Sequence, residues 1–159
     1  MKKLIFTFFL CLLAAVQSAW GYDFSYTYAG QTLWYEVLSS TDKTAGVAGH
    51  PSSISGAVEI PATVTYGGVT YSVTSIGNSA FFGCSGLTEI DVSASNTNYQ
   101  SIDGILYNKA GDTLICCPMG KKGSVTIPNS VTSIGVRAFE GDSSLTGVTI
   151  GKLCQIHRG

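Results

Sequence analysis

The sequence predicts a β-rich solenoid of about three 23-residue coils, carrying two hairpin insertions and entered through an N-terminal β-hairpin cap. Three observations predict it. Residues 73–92 recur as residues 131–150 with eleven of twenty positions identical. A short element, two branched apolar residues around a central residue of another kind, occurs at 58–60, 90–92, 125–127 and 148–150, at spacings of 32, 35 and 23 residues. Finally, 19 Gly, 19 Ser and 16 Thr stand against only 12% charged residues in a chain of 159, with an apolar content too regular for a disordered tail and a surface expected to be neutral and hydroxyl-rich. A fixed period of this size marks units that cannot bury their own apolar face and must stack on a neighbour.

In chain order, residues 1–21 read as a signal peptide. Lys2 and Lys3 precede an apolar run from Leu4 to Val16, about half to two thirds of a bilayer-spanning helix. Ala19-Trp20-Gly21 offers small residues to a signal peptidase, so the preferred cut leaves Tyr22 first, with cuts after Ser18 or Ala19 as alternatives. Cys11 lies within the apolar run, which does not support a lipid anchor, and no transmembrane segment is expected once the signal is removed. Residues 22–56 read as the N-terminal β cap: Phe24 to Tyr28 and Leu33 to Val37 alternate about Ala29-Gly30, and a loop with His50-Pro51, Ser52, Ser53 and Ser55 follows.

Residues 57–151 are the solenoid. In each rung the period of two sends the outer pair, such as Val148 and Ile150, inward and the middle residue outward. Val131, Ile134, Phe139 and Leu145 complete the core of the last repeat; Gly135 and Gly141 are expected at sharp turns with positive φ, and Pro61 and Pro128 end their strands. The longer spacings read as one 23-residue unit enlarged by nine and by twelve residues, one addition around Thr65–Tyr71 with its Gly67-Gly68 turn and one within Gly104–Ile115. Both are expected to project as hairpins. Residues 152–159 break the pattern as an irregular tail, which suggests a truncated reading of a longer protein or an end covered by partners.

The run Ile127-Pro-Asn-Ser-Val-Thr-Ser-Ile-Gly, continued as Ala138-Phe139, Gly141, Ser143-Ser-Leu-Thr and Val148-Thr-Ile150, resembles the repeat of BspA-type leucine-rich-repeat proteins, secreted or surface-exposed proteins of bacteria and some protozoa. The segment from Asn98 to Lys109 is similar to a variant coil of that family. The resemblance implies a right-handed leucine-rich-repeat solenoid with a binding or adhesive role and no enzymatic activity. Its motif positions are structural: Ile76, Ala80, Phe81, Leu87, Ile90 and Val92 match core positions, as do Ile134, Ala138, Phe139, Leu145, Val148 and Ile150, while Asp142 stands where the family usually has the Cys present at Cys84.

Chemistry-bearing residues are sparse. A net charge of -1 and a pI near 6.0 leave no basic field for nucleic acid or an anionic membrane. Cys84 occupies a position a coil buries, where a thiol behaves as a small apolar residue. Cys116 and Cys117 are adjacent in an alternating strand and point to opposite faces, so they do not bond each other. Cys154 and His157 do not converge with that pair into a zinc site, and His50 lies in a Ser-rich loop without the rigid support a general base needs. No catalytic residue, metal or cofactor is expected. Glu59 and Asp91 hold outward middle positions of successive rungs, with Glu89 one pleat away, and the next such positions, Thr126 and Thr149, are poor calcium ligands. The expectation is a secreted or cell-surface, non-catalytic interaction module for an extracellular protein or glycan, the alternative being a non-binding spacer or remnant of a larger adhesin. Contact would centre on Glu59, Glu89, Asp91, Thr126 and Thr149, or on hairpin tips at Tyr66, Tyr71 and Tyr107.

Overall fold

The computed structural model describes residues 21–51, 54–151 and 155–156. The expected signal segment up to Trp20, Ser52, Ser53, Cys154 and His157 therefore lie outside the described residues. Every regular element among the described residues is a strand, and no helix there is long and apolar enough to cross a membrane.

The first sheet grows from the expected N-terminal hairpin. β1 (Phe24–Tyr28) and β2 (Gln31–Ser39) pair antiparallel with Phe24 opposite Tyr35, turning through Ala29 and Gly30 at φ 48° and 81°. β3 (Thr44–Gly49) returns beside β2 and then runs parallel to β6 (Val69–Ile76), which is hairpinned to β5 (Thr63–Tyr66). Alternation sends Phe24, Leu33, Tyr35, Val47, Val64, Tyr71 and Val73 into one core and turns Thr27, Thr63, Thr65, Thr70 and Ser72 out to solvent. The Gly67-Gly68 turn is present, with both residues at positive φ. Its hairpin does not project, however. Val64 and Tyr71 are apolar on its inner face, so it widens the sheet.

The second insertion departs further from expectation. β8 (Tyr99–Ile102), β9 (Ile105–Asn108) and β10 (Thr113–Cys116) make two successive hairpins, and β10 continues parallel into β12 (Ser133–Ile134) and then β14 (Gln155–Ile156). Within the tail expected to be irregular, β14 thus stacks on β12. Ile105, Leu106 and Tyr107 are all at most 1% exposed. Leu106 belongs to the first core, whereas Ile105 and Tyr107 belong to a second one built with Leu114, Val125, Ile127, Val131 and Ile134. The supposed outgrowth is the partition between two cores, because three consecutive apolar residues on a strand can be buried only with cover on both faces.

The rungs fall into two parallel pairs rather than one run of four. β4 (Ser55–Ile60) pairs with β7 (Gly86–Val92), and β11 (Gly123–Thr126) pairs with β13 (Leu145–Thr149). Between them lies the β8–β9 turn. Ile90 N–H donates to Gly104 O at 2.9 Å, and Lys121 Nζ donates to Asp103 O at 2.5 Å. Val58, Ile60, Leu87, Ile90, Val125 and Ile127 are buried as expected. Val148 and Ile150, expected in the core, are each 40% exposed, since among the described residues β13 pairs only with β11.

Connections between the two layers alternate in length. The registers align Val47 with Ile76 and Gly56 with Leu87, then Leu114 with Ile134 and Gly123 with Leu145. The paths from Ile76 to Leu87 and from Ile134 to Leu145 are thus two residues longer than the paths from Val47 to Gly56 and from Leu114 to Gly123. Both long paths use the same turns: Ala80 N–H donates to Gly77 O and Cys84 N–H to Phe81 O, as Ala138 does to Gly135 and Asp142 to Phe139. Gly83 and Gly141 share φ 81°, as the turn requires. Gly135, by contrast, has no positive φ; it is needed because a Cβ there would press on Leu114 O at 3.2 Å.

Candidate binding surface

The outward residues of the rungs are brought together as pairs. Glu59 stands opposite Asp91 and Thr126 opposite Thr149 across parallel strands, a separation of roughly 5 Å between neighbouring strands. Glu89 is exposed one pleat from Asp91 and is registered with Ala57. Two like charges side by side on a partly solvated face repel only weakly, and the remaining outward groups are hydroxyls. The ladder is broken in its middle by the Asp103–Gly104 turn, where a Cβ on Gly104 would meet Glu89 Cγ at 2.9 Å. Among the described residues no group of three or more His, Cys, Asp or Glu side chains is arranged to hold a metal ion.

The aromatic tips do not form. Tyr107 is 1% exposed in the second core and Tyr71 8% exposed in the first, because Tyr71 lies on the inward face of β6 and β9 is covered on both of its faces. Burial, with Cys117 and Asp103 nearby, pushes the Tyr107 phenol up to about 12. Tyr66 is half-buried and stacks on Phe24 with centroids 4.6 Å apart. Of the three tyrosines only Tyr66 reaches solvent in part. Counting alternation from the Gly67-Gly68 turn would have placed Tyr71 with Val73 inside; for Tyr107 the sequence offered no sign that β9 is covered on both faces.

A line of thiols and carboxylate crosses the long and short connections. Cys84 is fully buried, and its Sγ lies 3.1 Å from His50 Nε2, which also approaches Phe82 O at 3.3 Å. His50 is therefore docked against a long connection rather than set in a free surface loop. Thiol beside imidazole is the residue pair of a nucleophile and its base. Here burial raises the thiol and Cys84 is 0% exposed, so the contact fastens the short connection to the long one. Burial pushes Cys116 up to about 12, with Asp142 and Cys84 adding to it. Cys117 rises for the same reason, with Asp142 close by. Both Asp142 carboxylate oxygens are buried without a hydrogen-bond partner among the described residues. Burial pushes that carboxyl up to about 6, and the Cys117 thiol beside it acts in the opposite direction.

A cleft lies between the two long connections, over the short one. Ile76, Phe82, Cys116, Met119, Val136 and Arg137 line it. It exists because the middle path lacks two residues and cannot fill the gap between its neighbours. Phe82 and Val136, 61% and 55% exposed, are the most solvent-exposed of the large apolar residues described. The signal for it was in the repeat alignment: Asn78 and Phe82 of one copy correspond to Val136 and Glu140 of the other.

The BspA type leucine rich repeat region matches residues 62–107 and 119–158, in six copies, more than half of the chain. Among solved structures, a leucine-rich repeat protein from Eubacterium ventriosum is similar at 29% identity and a TM-score of 0.54, over 63% of this chain and 25% of that one. The pneumococcal vaccine antigen PcpA shares the fold at 23% identity and a TM-score of 0.53, over 65% of this chain and 24% of its own. This chain thus spans about a quarter of the length of either. No curated protein matches it.

Proposed function

Because the chain belongs to the BspA-type leucine-rich repeat family, we propose that it is a secreted or cell-surface, non-catalytic interaction module that adheres to an extracellular protein or glycan. In this reading the chain is a right-handed solenoid with its β1–β2 hairpin as the N-terminal cap, and residues 1–21 direct export and are removed. The observation that carries the reading is the register: Glu59 beside Asp91 and Thr126 beside Thr149 make a rigid strip of carboxylates and hydroxyls on adjacent parallel strands. Such a strip suits the hydroxyls and amides of a glycan or a polar protein surface, and its rigidity limits the entropy lost on contact. Tyr66 adds a partly exposed ring at the sheet edge.

The test is binding of the exported chain to arrays of glycans and extracellular matrix proteins. It is repeated after replacing Glu59, Glu89 and Asp91 by Gln or Asn, and separately Thr126 and Thr149 by Val. Loss of binding in either set, with melting unchanged, supports the module. Unchanged binding in both removes this strip, and no binding at all leaves a spacer or remnant of a larger adhesin. N-terminal sequencing of exported protein checks the start at Tyr22.

A further inference from the structure

We propose that the outer face of the first sheet, at Trp34 and Glu36, binds an arginine side chain of a protein partner, with the guanidinium against the aromatic surface and paired to the carboxylate. This inference is independent of the rung strip, which uses other residues. Alternation along β2 sends Leu33 and Tyr35 into the core and turns Trp34 and Glu36 to the opposite side. The two stand roughly 7 Å apart along the strand, within reach of one planar guanidinium that stacks on a ring while its donors meet a carboxylate.

The neighbouring strand leaves room for both side chains. Trp34 is registered with Gly49 and Glu36 with Gly46. A Cβ on Gly49 would touch Trp34 Cε3 at 3.5 Å, and one on Gly46 would lie 3.4 Å from Glu36 Oε1, so indole and carboxylate lie back over β3. Tyr22 stacks on the indole with centroids 4.5 Å apart and planes 3° from parallel. Tyr22, Trp34 and Glu36 each keep part of their surface in solvent.

The charge of this face selects a cation. Glu36 is the one charged side chain in the five strands of the sheet, and among the described residues its carboxylate has neither an ion pair nor a hydrogen bond. Asp23 adds a second carboxylate beside β2, where its N–H donates to Tyr35 O and its Oδ2 accepts from Val37 N–H. An aromatic ring attracts a cation to its face, and an unpaired carboxylate next to it attracts the same cation. Arginine suits the pair better than lysine, because its guanidinium is planar, weakly hydrated and forked.

The probe is the blocked pentapeptide Gly-Ser-Arg-Ser-Gly, titrated into isotope-labelled exported chain. Trp34 is the sole tryptophan outside the expected signal segment, so its fluorescence reads the site, and amide shifts at Gly46 and Gly49 locate it. Saturable changes are expected in both. The same peptide with citrulline, which keeps the shape of arginine and loses its charge, should bind about tenfold more weakly, and the lysine peptide should also bind more weakly. Glu36→Gln should weaken the arginine peptide about tenfold with melting unchanged, because no native partner is lost. Glu59→Gln and Asp91→Asn should change nothing, so failure at Glu36 leaves the rung strip standing. The proposal is overturned if citrulline binds as well as arginine, if Glu36→Gln leaves the affinity unchanged, if shifts map elsewhere, or if none appears. It is also overturned if a methyl glucoside moves the Trp34 signal and the peptide does not, which would make a neutral sugar the occupant.

Discussion

Asp142 holds a carboxylate whose two oxygens are buried with no hydrogen-bond partner among the described residues, at the position where the matching copy buries Cys84. Its acidity is weakened in the fold to about 6 from an ordinary 3.8, so the native state prefers the neutral form. The stability this preference contributes is complete below about pH 4 and is lost as pH rises through 6. Asp142→Asn should therefore stabilise the chain at pH 7.5, by about 1 kcal/mol once partial exposure is discounted, and hardly at all at pH 4; urea melts at the two pH values check it. Asn96 is the opposite case. It is 1% exposed, its amide donates to Pro61 O and Val73 O, and its Oδ1 accepts from the N–H groups of Asn98 and Tyr99. Asn96→Ala strands these four backbone groups and should lose about 2 to 3 kcal/mol in the same melts.

At the scale of elements, the two copies of the repeat are not energetically equal. Phe81 is 5% exposed within the first core, while Phe139 packs only partly against the second. Phe81→Ala should cost about 3 to 5 kcal/mol and Phe139→Ala about half of that, read from denaturant midpoints. Gly120 marks the seam between the rung pairs: its N–H donates to Leu87 O at 2.8 Å, and a Cβ would lie 2.6 Å from Ser85 O. Because both partners are backbone, Gly120→Ala should destabilise more than the ordinary helix or strand penalty of about 1 kcal/mol. These elements show what was legible. The β1–β2 and β5–β6 hairpins with their Ala29-Gly30 and Gly67-Gly68 turns, and the register inside each rung pair, followed from alternation and the repeat. That Ile105, Leu106 and Tyr107 are all interior did not, because it depends on which strands cover β9 from either side. The cleft was hidden for a similar reason: the apolar exchanges at Val136 and Phe82 are visible in the letters, but their facing across a shortened connection is visible only once the layers are stacked.

At the scale of the whole molecule, β9 gives side chains to both cores, and neither core can open without exposing them. Equilibrium unfolding should therefore be a single transition, coincident for tyrosine fluorescence and backbone circular dichroism. Leu106→Ala should lower the midpoint for both probes together; two separated transitions would show that the cores are independent. The turns at Ala29, Lys43, Asp103 and Arg137 have a different consequence, for a protease rather than for a melting curve. All four hold φ between 48° and 62°, whereas a protease reads its target as an extended strand. Trypsin must unwind Lys43 or Arg137 before it can cut there, so the rate of cleavage at these two bends is set by how often each one opens.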